Sequence, residues 1–586
     1  MKAFPTSARA TLSCPPPAQR PPQAMRRTLA LGLSGALLLA GASGCALGGG
    51  SARAGASAGV PRGPGGLPLP STRAERTGHL ETTSHAEVLG FLDSLVAMGA
   101  PLAISDLATS AEGRRVPLVV ASRPRVSTPA EARALGRPIV YVQANIHAGE
   151  VEGKEAVLAL LRDWSFGRRP NVLDSLVVLV VPIYNADGNE KLAPQARNRG
   201  AQNGPAQIGE RPNGMGLDLN RDYIKAEAPE SRGALAAFTA WQPDLFMDLH
   251  TTNGSYHGYA LTYSPSLHPA APLAPFTADT LLPEIRRRMK SRHDFAVFPY
   301  GNFTGADGRE GLTATEKSGW WTYEHKQRFG TNYFGLRGGI SILSEAYSHD
   351  PFARRVASTY AFVQEVLSYA AEQPAAIRRR VEQGTRAATL GTGSRASVAI
   401  RARFHSRPDT QPVLVERLER VADSTLQTEP GVPRGIRRTG VYAEQRMPVV
   451  DRFEAAESTT PAPHGYVFAA EWTKAADLLR AHGVRVDILP TAVTATVQVF
   501  EVDSVSMAAR PFQGHREATV TGRWLERSRT IPAGSFHVPL GSSLDLLAVL
   551  LLEPRSDDGL LTWNHFDAAL GKGREAPVAR LLAPLR

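Results

Sequence analysis

Cysteine is almost missing from this chain. Only Cys14 and Cys45 occur in 586 residues, and both precede any segment able to build a core. The folded part therefore contains no internal disulfide and no thiolate metal site. No run after residue 45 approaches the roughly 18 uninterrupted apolar residues that a membrane span requires. No basic stripe interleaved with aromatics and no nucleic-acid motif is present, so the chain is read as having no nucleic-acid partner. The charge balance is basic, 66 Lys and Arg against 55 Asp and Glu, for a net +11. Because the arginines are scattered, the excess reads as a solvated surface, with some attraction to an anionic envelope surface as a further consequence. At 42% hydrophobic and 21% charged, the composition is that of an ordinary globular protein, long enough for two or more domains.

The N-terminus reads as an export address. Arg26 and Arg27 form a positive flank, Thr28 to Ala40 an apolar segment, and Ala42, Ser43 and Gly44 precede Cys45. This is a secretory signal of residues 25–45 whose end resembles a lipobox, with Cys45 as the lipidated first residue; a plain cleavable signal is the alternative. Residues 1–24, rich in Pro and Arg, would spoil a signal placed behind them, so they read as a non-native extension with Met25 as the start. Residues 46–78 are rich in Gly, Ala, Ser and Pro and read as a flexible tether. The expectation is an exported protein of the periplasm or cell envelope, anchored to the membrane through Cys45.

From about Ser84 the pattern changes. Residues 138–146 and 175–188 read as buried strands, because they are continuous apolar runs rich in β-branched residues. Between them, residues 150–164 suit a helix. Residues 244–250 and 339–345 are further strands, and 227–242 and 350–370 further helices. The alternation predicts an α/β fold, with a mixed, mostly parallel central sheet flanked by helices over residues 79–375. Beyond it, alternating half-buried strands predict a β-rich accessory domain over 385–586, of unassigned role.

Polar residues sit at telling places on this scaffold. His147, His250 and Glu345 each fall at or just beyond the end of an apolar strand, where open α/β sheets bind their ligands. Taken singly they say little: an H-x-x-E pair at a helix start is common, and a strand-end His or a capping Glu is ordinary. Together, in order, they offer the two His and one Glu of a catalytic zinc site, with a carboxylate to spare.

The ordered set HAGE (147–150), GLDLNRDY (216–223), DLHTT (248–252) and ISILSE (340–345) resembles the zinc carboxypeptidase family, the M14 metallopeptidases. The resemblance spans about residues 80–372. It implies one Zn2+ on His147, Glu150 and His250, and a peptide substrate attacked by zinc-bound water with Glu345 as base and then acid. Asp218 would orient His147, while Asn220 and Arg221 would hold the substrate's terminal carboxylate. An arginine upstream of the D-x-N-R segment would polarise the carbonyl; Arg211 leads, with Arg197 and Arg199 competing. The family's mobile tyrosine falls to Tyr323 or Tyr333. The chain departs from the digestive enzymes in reading NRDY where they have a second Asn, and in lacking their disulfides, so substrate preference does not carry over. His257, His325 and His349 read as hydrogen-bonded or surface histidines.

Two other readings share these residues. One is an amidohydrolase of peptidoglycan stem peptides or N-acyl amino acids, since the aspartoacylase and desuccinylase group carries similar elements. The other is a zinc-free binding module. The sequence leaves the oligomeric state open.

Overall fold

The computed structural model describes residues 63, 66–305, 308–391, 396–430 and 432–585. The export signal, the lipobox and Cys45 lie outside the described residues. Eight strands form the central sheet: β1 (Leu102–Thr109), β2 (Arg115–Ala121), β3 (Ile139–Ala144), β4 (Val177–Val181), β5 (Leu245–Thr251), β6 (Leu261–Pro265), β7 (Val297–Pro299) and β8 (Ile340–Ala346). Their order is β1-β2-β4-β3-β5-β8-β6-β7. The neighbours β4/β3, β3/β5, β5/β8 and β6/β7 run parallel and the remaining contacts antiparallel.

The continuous apolar runs of β3, β4, β5 and β8 follow from burial on both faces. Along β3, Val140, Val142 and Ala144 enter one core, while Ile139 and Tyr141 enter the other. The first core is closed by helices α1 (Glu152–Phe166), α3 (Leu282–His293) and α4 (Phe352–Glu372). The second is closed by α2 (Pro229–Trp241), and then by the C-terminal region itself, whose helix α5 (Asp545–Leu552) joins the same apolar cluster as Tyr141 and Phe246.

The region beyond residue 396 is β-rich, with two long hairpins: Gln411–Arg420 against Ile436–Met447, and β9 (Val493–Met507) against β10 (Ala518–Ile531). It is fastened to the central sheet's loops by buried charge. Arg328 bonds the Asp558 carboxylate through its backbone N (2.7 Å) and its Nε (2.8 Å), and its guanidinium lies 4.5 Å over Trp563. Within the segment read as tether, Thr72 caps a helical turn at Arg73–Arg76, and Arg162 donates to Pro70 O and Glu75, so ordered chain begins before residue 79. Among the described residues no helix is long and apolar enough to cross a membrane.

Candidate metal centre and carboxylate clamp

Strand β3 delivers the first ligand pair through a sharp bend. Asn145, at φ 62, turns the chain out of the strand, and its amide donates to the carbonyls of Ala148 and Glu150. The His147–Glu150 turn closes by a backbone bond of 2.9 Å, and α1 starts at Glu152. Gly149 is needed here, because a Cβ would stand 3.0 Å from Gly209 O and 3.1 Å from Arg199 Cδ. Strands β5 and β8 deliver the other groups. They run parallel with His250 and Glu345 at the same register, so the two side chains are direct cross-strand neighbours.

His147, Glu150 and His250 converge, with one ligand atom from each within 4.8 Å of the others. Their orientation explains the convergence. His147 Nε2 lies 3.1 Å from Asp218 Oδ1, and His250 Nε2 lies 3.0 Å from Asp248 Oδ2, so a carboxylate stands behind each ring and Nδ1 is the nitrogen turned toward Glu150. The two Nδ1 atoms are 3.2 Å apart, and each is 3.0 Å from an oxygen of Glu150. With their protons removed, these four atoms would repel one another in a buried place unless a cation lay among them. The donor set fits zinc: two imidazoles and one carboxylate, with room for a further ligand.

Charge around the centre is arranged to keep Glu150 ionised. Burial opposes its charge, but His147 and Arg199 hold its carboxyl well below the ordinary range. Asp218 is treated alike, with His147 and Arg211 outweighing burial. Glu345 goes the other way. Burial pushes it up to about 8, with His250 opposing and the Glu150 charge adding to the rise. A carboxyl that can hold or yield a proton near neutrality suits acid–base work.

Asp218 opens the short 3-10 turn Leu219–Arg221 and accepts from Asn220 N at 3.0 Å. Asn220 Oδ1 accepts from Gly330 N at 3.0 Å. Arg221 donates to Asn220 O at 2.8 Å, and its guanidinium carbon lies 4.2 Å from the centre of the Phe329 ring. Burial lowers Arg221's hold on its proton, the pull of Asp218 resists, and the charges of Arg211 and Arg328 add to the lowering. A carboxylate brought against this guanidinium would offset the cost of its burial.

Among the competing arginines, Arg199 donates to Glu150 and to the carbonyls of Thr251 (3.0 Å) and Thr252 (2.9 Å). Arg211 bonds Asp218 Oδ2 through Nε at 2.9 Å, stands 3.7 Å from Glu150, and lines the cavity. Arg197 is exposed on the short helix before Arg199. The two tyrosines separate. Tyr323 lines the cavity, its hydroxyl pKa raised by burial and by Glu345. Tyr333 does not join it: its helical segment turns the ring into the core beside Tyr223 and Phe238, and its hydroxyl bonds His482 Nδ1 at 2.9 Å. Tyr333 is thus removed as a site candidate.

Sequence reasoning missed four residues. Asp248 sits behind His250 and continues inward, with Tyr223 OH donating to Gln143 Oε1 (3.1 Å) and Gln143 Nε2 to Asp248 Oδ1 (3.2 Å). The D-L-H spacing puts Asp248 and His250 on one strand face and could have revealed it. Tyr300, whose hydroxyl accepts from Asn253 Nδ2 at 2.9 Å, lines the cavity along with Asn253 and Phe329. None of these three lies in a motif. His257 (pushed down to about 3) and His349 (about 4) are buried neutral rings, and His325 bonds Asp557 at 3.0 Å; none reaches the ligand set. The cavity is small, about 70 Å³. Larger clefts of about 440 and 680 Å³ elsewhere gather no comparable ligands.

Residues 89–328 match the family model described as zinc carboxypeptidase. Carboxypeptidase 2 of Trichophyton equinum is 24% identical over 484 residues, covering 80% of this chain and 81% of that protein. The Trichophyton rubrum protein of the same name is 24% identical over 486 residues, with 80% and 81% covered. A solved metallo-carboxypeptidase from Burkholderia cenocepacia is 19% identical, with a TM-score of 0.35, over 49% of this chain and 68% of that one.

Proposed function

Because the chain is a metallopeptidase of the zinc carboxypeptidase family, we propose that it removes C-terminal residues from peptides in the cell envelope, with Glu345 as its proton carrier. One observation carries the reading: the His147, Glu150 and His250 set able to hold a metal ion opens into the same cavity as Glu345 and Arg221. When bound, zinc acidifies a water and draws charge from the scissile carbonyl.

The chain's own groups supply the rest. Arg221, packed over Phe329, takes the substrate's terminal carboxylate through paired N–H donors, with Asn220 beside it. That anchorage presents the last peptide bond to Glu345. Glu345 accepts a proton from the attacking water and returns it to the leaving amine. Arg211 offers guanidinium donors to the oxygen on which charge develops, and Tyr323 adds a hydroxyl on the same wall. Arg199 keeps Glu150 in place from behind. The curated relatives that align across both halves of the chain are named carboxypeptidases, which favours this reading over an N-acyl amino acid amidohydrolase.

Export and lipid anchorage rest on the Arg26–Arg27 flank, the apolar segment and Cys45. Cys45→Ser should release the protein from the membrane fraction; retention there would refute the anchor. The function is tested by incubating the purified protein with a mixed peptide library and reading the products by mass spectrometry. Stepwise loss of single C-terminal residues, abolished by chelation and restored by zinc, is expected. Internal cleavage, or full activity after exhaustive chelation, would overturn the proposal.

A further inference from the structure

The β9–β10 hairpin of the C-terminal region ends against the metal centre. Its tip is a two-residue turn, Gln513–Gly514, closed by reciprocal bonds between Phe512 and His515 of 2.7 and 3.0 Å. Both turn residues have positive φ, 50° for Gln513 and 79° for Gly514, the pattern of a turn that favours Asn or Gly in its first place. A glutamine held in this left-handed conformation pays a steric cost, and such costs persist where the side chain has a task. Here the task is visible. Gln513 Oε1 accepts the backbone N–H of Asp218 at 2.9 Å.

Asp218 is the hinge of the site. Its Oδ1 holds His147 Nε2, its Oδ2 holds Arg211, and its backbone opens the turn that carries Asn220 and Arg221. The tip is itself held from both sides. His515 Nε2 lies 2.9 Å from Glu227, its Nδ1 3.1 Å from Asn564, and Phe512 lies under the Arg328 guanidinium at 5.3 Å.

We infer that Gln513 is a positioning residue of the metal centre, by which the C-terminal region fixes Asp218 and, through it, His147 and the Arg221 turn. The inference rests on the zinc site proposed above, but its main readout does not require peptidase activity. Zinc affinity is measured by chelator competition for the full-length protein, for Gln513→Met, which keeps length without an acceptor, and for Gln513→Glu, which keeps the acceptor oxygen. Loss of one hydrogen bond behind a metal-orienting carboxylate should weaken zinc binding about fivefold in Gln513→Met. With any peptide the parent hydrolyses, kcat/KM should fall by at least a similar factor, because both His147 and the Arg221 turn are loosened. Gln513→Glu should restore zinc affinity to within about twofold of the parent, because the accepted N–H is uncharged. Parent-like zinc affinity in Gln513→Met, or a Gln513→Glu no better than Gln513→Met, would overturn the inference. A parent that binds zinc but cleaves no peptide would instead refute the proposed function and leave this test intact.

Discussion

At the carboxyl ends of β3, β5 and β8, buried ionisable groups converge on one point, whereas at the seam with the C-terminal region buried charge is met by countercharge. His147, Glu150 and His250 bring ligand atoms to one point, and Glu345 stands beside them with its pKa raised. At the seam, Arg328 meets Asp558 and Glu517 beside Trp563, and His325 meets Asp557. Both arrangements bear the desolvation cost of ionic groups. Only the first turns the ligand atoms of three residues toward one point. The difference separates a site from a fastening more surely than burial or residue type does, since both contain buried Glu, Asp and Arg.

The strongest way to break this comparison is to act on the converging set. Glu345→Gln keeps the volume and removes the proposed proton carrier, so kcat should fall by roughly a hundred- to ten-thousandfold with zinc still bound. Steady-state kinetics beside metal analysis would check it. Near-parent activity would show that another group moves the proton.

Smaller, and aimed at the groups behind the ligands, is Asp248→Asn. The amide no longer stabilises the Nε2–H form of His250 by charge, so zinc affinity should drop about 10- to 100-fold, with thermal stability of the chelated protein little changed. Chelator competition reads the first and a melting curve the second. An unchanged zinc affinity would mean that Asp248 only fills the strand.

Much of this contrast could be read in the sequence. The runs that became β3, β4, β5 and β8 are apolar without alternation because both sheet faces are covered, and that pattern survives in one dimension. His250 and Glu345 were legible because each sits near the end of such a run. Asp218, Asn220 and Arg221 were legible through family resemblance, and the structure sets all three at the cavity or directly behind it. Other residues were hidden for a physical reason: their place depends on chain far away. Tyr300 reaches the cavity through Asn253 and Asn302, and Gln513 reaches Asp218 from the far end of a hairpin. Tyr323 and Tyr333 looked alike until the helix at Gly330–Leu336 fixed which ring turns inward. Nor does periodicity announce that α5 closes the sheet's second face, because a helix apolar on every side gives no direction.

The smallest effect probes the seam. His482 donates from Nε2 to Ile224 O at 3.0 Å and accepts at Nδ1 from Tyr333 OH at 2.9 Å, so both ring nitrogens are satisfied only when the ring is neutral. Burial, with Arg337 nearby, pushes its pKa down from 6.5 to about 3. The folded value lies below the unfolded one, so between them the unfolded chain binds the extra proton. The contribution of His482 to stability is therefore complete above about pH 6.5 and is lost progressively as pH falls toward 3. His257 and His268, also near 3, and His349, near 4, act in the same direction, so the parent should lose stability steeply on acidification. His482→Gln removes one of these titrations. Below pH 6 its unfolding free energy should fall less steeply than the parent's, by up to ~1.4 kcal/mol per pH unit, while at pH 7 it is the less stable protein. Denaturant melts of the chelated proteins from pH 7 to 4 keep zinc release out of the slope. Parallel slopes for parent and variant would mean that His482 takes up its proton without loosening the seam.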